Sequence, residues 1–184
     1  MRVGGLGFGA TVDDDPLIFE SAEQFAQTLF LMFVIDDEPK IIRSLDLSAS
    51  PNFDQKNYER QRFVYLVAII ALALTDRARK DNQFVAVVSH LRRMVRVEMQ
   101  NRWHDTEETA DDAVEAAAQD CAHLIFSSPE TSLGISVTWP KDWLERSGVQ
   151  ETNFIRLFKI SQGWKEQYLT LAEIVQRARL TDSC

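Results

Sequence analysis

Along most of this chain apolar positions recur three or four residues apart, and the places where that period breaks mark the predicted elements. Ser21 with Gln24 three residues on has the form of a capping box, after which Ala22, Phe25, Ala26, Leu29 and Phe33 predict a helix over 21–35. Its second half, LFLMFVI, is apolar on every side, so a buried strand competes there, and Pro39 ends either element. Residues 41–48 alternate weakly, and Ser50-Pro51 supplies a helix start. The longest periodic segment then runs over about 52–80. It is polar at first, apolar around its circumference from Phe63 to Leu74, and basic at its end, where the helix dipole favours cations. Such a helix belongs in the middle of a core.

Asp81-Asn82 is placed to cap the next helix, in which Phe84, Val88, Leu91 and Val95 form the core stripe and Arg92, Arg93 and Arg96 the flank. After Trp103-His104-Asp105-Thr106 the chain caps again. A helix to about Phe126 follows, with Ala110, Ala113, Val114, Ala117, Cys121 and Leu124 on its inner side. The short connection makes these two helices antiparallel neighbours, and the small residues allow close approach. The alanine-rich stripe would serve a homodimer as well as a core.

Residues 127–150 break the pattern: Pro129, Gly134 and Pro140 surround ISVTW, whose alternation predicts a short strand near 133–139. The last part predicts a helix over 152–161, a break at Gly163, and a final helix with Trp164, Tyr168, Leu171, Val175 and Ala178 in register and Glu173 set to pair with Arg177. The whole predicts a mainly α, single-domain helical bundle of about five or six helices over 1–184. A small β element is expected near 28–47 and 133–139, and residues 1–20, with four of the seven glycines, are expected to form a flexible arm.

Composition agrees with a globular domain: 45% hydrophobic, 26% charged, and only Cys121 and Cys184 as cysteines, which define no disulfide framework and favour a reducing, cytoplasmic setting. No apolar run reaches membrane-spanning length. The net charge of −8 disfavours nucleic acid and anionic membranes as partners. Charge is nevertheless laid out in two blocks. Between Asp76 and Arg102 seven basic residues face three acidic ones, whereas between Asp105 and Asp120 there are seven acids and no Lys or Arg.

Candidate chemistry is sparse. Gly5, Gly7 and Gly9 have the wrong spacing for a dinucleotide cradle, and the sequence calls for no cofactor. Asp36-Asp37 with Pro39 locally resembles the opening of response-regulator receiver domains. That resemblance implies a magnesium-binding pair at Asp36 and Asp37, a phosphoacceptor at Asp76 or Asp81, and a lysine at Lys141. A receiver alternates strands with helices, and residues 82–126 instead read as two successive helices. Asp36, Asp37 and Glu38 then solvate the end of a buried segment. Cys121 lies among alanines, where a thiol is inert, and three histidines without a nucleophile motif assemble no triad.

The first-ranked expectation is a non-catalytic interaction or regulatory protein of the immunity or inhibitor type. Its acidic helix face, centred on Glu108, Asp112 and Glu115, meets a partner protein with a basic surface, and Trp139 and Trp143 either join that contact or plug the end of the bundle. A second expectation is a divalent-cation enzyme or sensor built on Asp112, Asp120 and His123. A third is anion or nucleic-acid binding through Arg92, Arg93 and Arg96.

Overall fold

A computed structural model describes residues 15–35, 50–127 and 129–181. Among them are six α-helices: α1 (Ala22–Leu29), α2 (Gln55–Lys80), α3 (Gln83–Trp103), α4 (Glu107–Phe126), α5 (Pro129–Glu145) and α6 (Phe154–Arg177). Two three-residue strands, β1 (Leu17–Phe19) and β2 (Ala178–Leu180), complete the fold, which is mainly α with one small strand pair. The expected acidic pair at 36–37 and the alternation at 41–48 lie outside the described residues.

The apolar character of α2 dictates its place. Phe63 to Ile70, Ala73 and Leu74 are buried, and this one helix packs against α3, α4 and α6. Its start lies a few residues later than Ser50-Pro51 implied, because Asp54 takes the N-cap: its side chain accepts from the Asn57 amide at 3.0 Å. At the other end Lys80 pairs with Asp76 at 2.7 Å and Arg77 with Asp81 at 3.6 Å. Asp76 therefore lies within a helix, not in a catalytic loop. Asn82 makes no side-chain cap for α3; Asp81 accepts from the Gln83 amide instead.

Two expected caps are present. The Ser21 hydroxyl accepts from Gln24 N at 3.1 Å, and Thr106 Oγ1 accepts from Thr109 N at 3.2 Å. The α1 helix continues as a π-helix over Phe30–Ile35, so the competing strand does not form there. Phe30, Phe33 and Val34 are buried and Leu31 and Met32 are exposed. The segment is apolar all round in sequence but has an outside.

The expected strand at 133–139 is a helix, and Pro140 sits inside it. Proline removes the amide that would bond to the carbonyl four residues back, Ser136 O. That carbonyl is rescued from another helix: the Ser161 hydroxyl of α6 donates to it at 2.7 Å, with both serines fully buried. The helical period of α5 is real but chemically disguised. From residue 135 on, the buried positions Ser136, Pro140, Trp143, Leu144 and, just past the helix, Ser147 include two serines and a proline.

Gly163 does not break α6, which runs unbroken from an Asn153 cap. A mid-helix glycine costs about 1 kcal/mol, and Ile160, Ser161 and Trp164 buried around it outweigh that. Strand pairing also appears where none was expected. β1 and β2 are parallel, with Leu17 opposite Ala178 and Phe19 opposite Leu180. Arg177 donates to Asp15 O through Nε and Nη2, and Thr181 N to Phe19 O at 3.0 Å. The described part of the expected flexible arm is thus pinned to the end of α6. The predicted Glu173–Arg177 pair is present at 3.5 Å.

Candidate functional site

The helices α3 and α4 are joined by His104 to Thr106, with His104 in the left-handed region at φ 62°, and they run back antiparallel over α2. Ion pairs staple them near this turn. Arg96 reaches Asp111 through Nε at 3.0 Å and Nη2 at 2.5 Å, and Glu107 through Nη1 at 2.9 Å. Arg60 of α2 reaches Asp105 in the turn itself at 3.0 Å. The hydrogen bond from Arg96 holds the Asp111 carboxyl below the usual carboxylate range.

Beside the staple the two helices leave a groove of about 620 Å³. Val67 and Ala71 of α2 form its floor, Val88, Leu91 and Val95 of α3 one wall, and Val114 and Ala118 of α4 the other. The α4 edge carries Glu108, Asp111, Asp112 and Glu115, which the helical repeat brings onto one side; Arg92 stands on the α3 edge, 4.0 Å from Asp111.

Charge is unevenly satisfied around this groove. Each of the three arginines proposed to hold an anion has an acidic neighbour: Arg92 and Arg96 at Asp111, and Arg93 at Glu23 of α1, 3.8 Å away. Only Arg96 hydrogen-bonds its acids; Arg92 and Arg93 have looser contacts and are mostly exposed. Glu108, Asp112 and Glu115 are exposed and make no ion pair or hydrogen bond among the described residues.

The other side of α4 is closed. Tyr65 of α2 donates to Asp120 Oδ2 at 2.8 Å and accepts from Arg146 at 3.0 Å. Burial, reinforced by the bond to Asp120, pushes the Tyr65 hydroxyl well above its usual range, so it stays a donor. Beneath it Trp139, Trp143 and Trp164 pack with Tyr58 and Tyr65 at centroid distances of 5.4 to 6.4 Å. Trp143 is 1% exposed, so it offers no surface to a partner; Trp139 is half-buried in the same cluster. A smaller cavity of about 230 Å³ lies over the Tyr65 network, lined by Asn57, Arg60, Gln61, Ala116, Asp120 and Arg146 among others. The sequence carries no local signal for this network, since Tyr65, Asp120 and Arg146 are separated by 55 and 26 residues.

The residues proposed for a cation do not come together. Asp120 is engaged by Tyr65 and Arg146, while His123 and Asp112 are exposed. Among the described residues no group of three or more His, Cys, Asp or Glu is placed to hold a metal ion. Cys121 is buried, and desolvation raises its thiol pKa far above the ordinary value. No helix among the described residues is long and apolar enough to cross a membrane.

Comparison with protein-family models, with curated proteins and with solved structures finds no match to this chain.

Proposed function

We propose that this protein is a non-catalytic interaction protein that engages a basic partner surface through the α4 edge of the groove. One observation carries the reading: Arg92, Arg93 and Arg96 each have an acid within 4.0 Å, while Glu108, Asp112 and Glu115 stand exposed with no ion pair among the described residues, beside apolar walls. Glu108 and Asp112 are four apart on one helix and Asp112 and Glu115 three apart, a spacing at which like charges destabilise the helix by a few tenths of a kcal/mol. A basic partner relieves that repulsion and also covers the apolar surface between the helices. An inhibitor or immunity protein that masks a basic surface would work in this way.

The test is a pull-down from the native host with the tagged protein, repeated with Glu108→Lys, Asp112→Lys and Glu115→Lys combined. A basic protein retained by the unaltered chain, lost by the variant and lost again as salt is raised supports the reading. Recovery of the same proteins by both chains overturns it.

A further inference from the structure

The shape of the groove restricts what fills it. Both walls are helices, whose interior N–H and C=O groups already bond to one another. An extended peptide laid along Val88, Val95, Val114 and Ala118 finds no backbone partner there, and its own amides stay unmet above an apolar floor. A helix arrives with those bonds already made.

Length points the same way. From Val88 to Val95 the α3 wall spans about 10 Å, and from Glu108 to Ala118 the α4 wall about 15 Å, at the helical rise of ~1.5 Å per residue. That is two to three helical turns. The two rims also differ in charge: the α4 rim bears three unmatched carboxylates, and the α3 rim bears Arg92, held near Asp111.

Resting on the acidic-edge reading above, we propose that the groove receives an amphipathic helix of two to three turns. Apolar residues at positions i, i+3 or i+4, and i+7 lie against the partly exposed Ala71, Val88, Val114 and Ala118. Lys or Arg on one flank meets Glu108, Asp112 and Glu115, and the flank beside Arg92 carries no cation. Chemically the occupant is a basic, one-sidedly charged amphipathic helix on a partner protein.

Fluorescent peptides of about fourteen residues, long enough to overhang the groove at the helical rise, test this. One has leucines in helical register with lysines on one flank and glutamines elsewhere. A second has the same composition with the leucines moved out of register. Fluorescence anisotropy on the full chain is expected to give at least tenfold tighter binding of the in-register peptide, with a gain of helical circular dichroism on mixing. Ala118→Leu, which fills the groove with a good helix former, is expected to weaken that peptide at least tenfold while the protein's thermal melting is retained.

The combined lysine substitution of Glu108, Asp112 and Glu115 is expected to weaken both peptides. Equal affinity for the two peptides, each lost on charge reversal, overturns the helical occupant and leaves the acidic edge standing. Affinities untouched by charge reversal overturn the acidic edge itself. Absence of saturable binding by the in-register peptide overturns the helical occupant.

Discussion

The two sides of α4 are built to opposite rules. Toward α2, α5 and α6 its polar residue Asp120 is tied to Tyr65 and Arg146 above a packed aromatic cluster, and the neighbouring turn docks on the start of α2. In that turn Asp54 N donates to Ser147 O at 3.0 Å and the Asn57 amide group donates to Arg146 O. Toward α3, beside the Arg96 staple, Glu108, Asp112 and Glu115 are unmatched and the partly exposed Ala71, Val88, Val114 and Ala118 line the groove. On the first side the charged groups close on one another through Tyr65, although the buried indole nitrogens of Trp139, Trp143 and Trp164 have no hydrogen-bond partner among the described residues. The α3 side closes the polar groups near the staple and leaves the rest, which is why the functional reading rests there.

The comparison makes ranked predictions. The largest effect belongs to the closed side: Trp164→Ala should cost about 3–5 kcal/mol in denaturant unfolding, because it empties the centre of the aromatic cluster. A loss below about 0.5 kcal/mol, the scale of an ordinary surface change, would remove that side's structural role. Next comes Gly148→Ala, at about 3 kcal/mol. Gly148 has φ 75°, and an added Cβ would stand 1.9 Å from the Asn52 carbonyl oxygen, so backbone must move. Ser161→Ala follows at about 2 kcal/mol, since it strands the Ser136 carbonyl that Pro140 leaves free. Pairing it with Pro140→Ala restores a donor within α5, and the double variant should recover part of the loss.

On the open side, Asp112→Asn with Glu115→Gln should leave stability within about 0.5 kcal/mol or raise it slightly while reducing binding of a basic partner. A large destabilisation would assign these carboxylates to the fold instead. The smallest effect concerns pH. The folded-state pKa of Asp111 lies below its unfolded value, so its contribution is present above the usual carboxylate range, about pH 4, and is lost as pH falls through the folded value. Asp111→Asn should flatten the acid limb of melting temperature against pH by a small amount, the pair being partly exposed and screened by solvent.

What the sequence made legible were elements with local causes. Thr106 and Ser21 cap as their spacing requires, Phe63 to Leu74 made the central helix plain, and the antiparallel α3 and α4 followed from two stripes and a short turn. What stayed hidden depends on residues far apart in the chain. Pro140 reads as a break until Ser161 is known to face it; Gly163 reads as a break until the burial around it is counted; β1 exists only because the end of α6 lies beside it. At the candidate site, the carboxylates and arginines were visible one by one. The groove was not, since its floor comes from α2 and its walls from two other helices. Nor was the pairing that holds Arg96 at Asp111 and Glu107 and spares Glu108, Asp112 and Glu115.

The parallel register of β1 and β2 bears on how the chain responds to force. A pull applied ahead of Leu17 and beyond Leu180 acts on opposite ends of the ribbon, because parallel strands start at the same side. The rungs between them are then loaded in shear, all together, rather than peeled one after another as in an antiparallel hairpin. Tension applied at Leu17 and Leu180 loads this small clasp in shear, so its yield should be a single abrupt event.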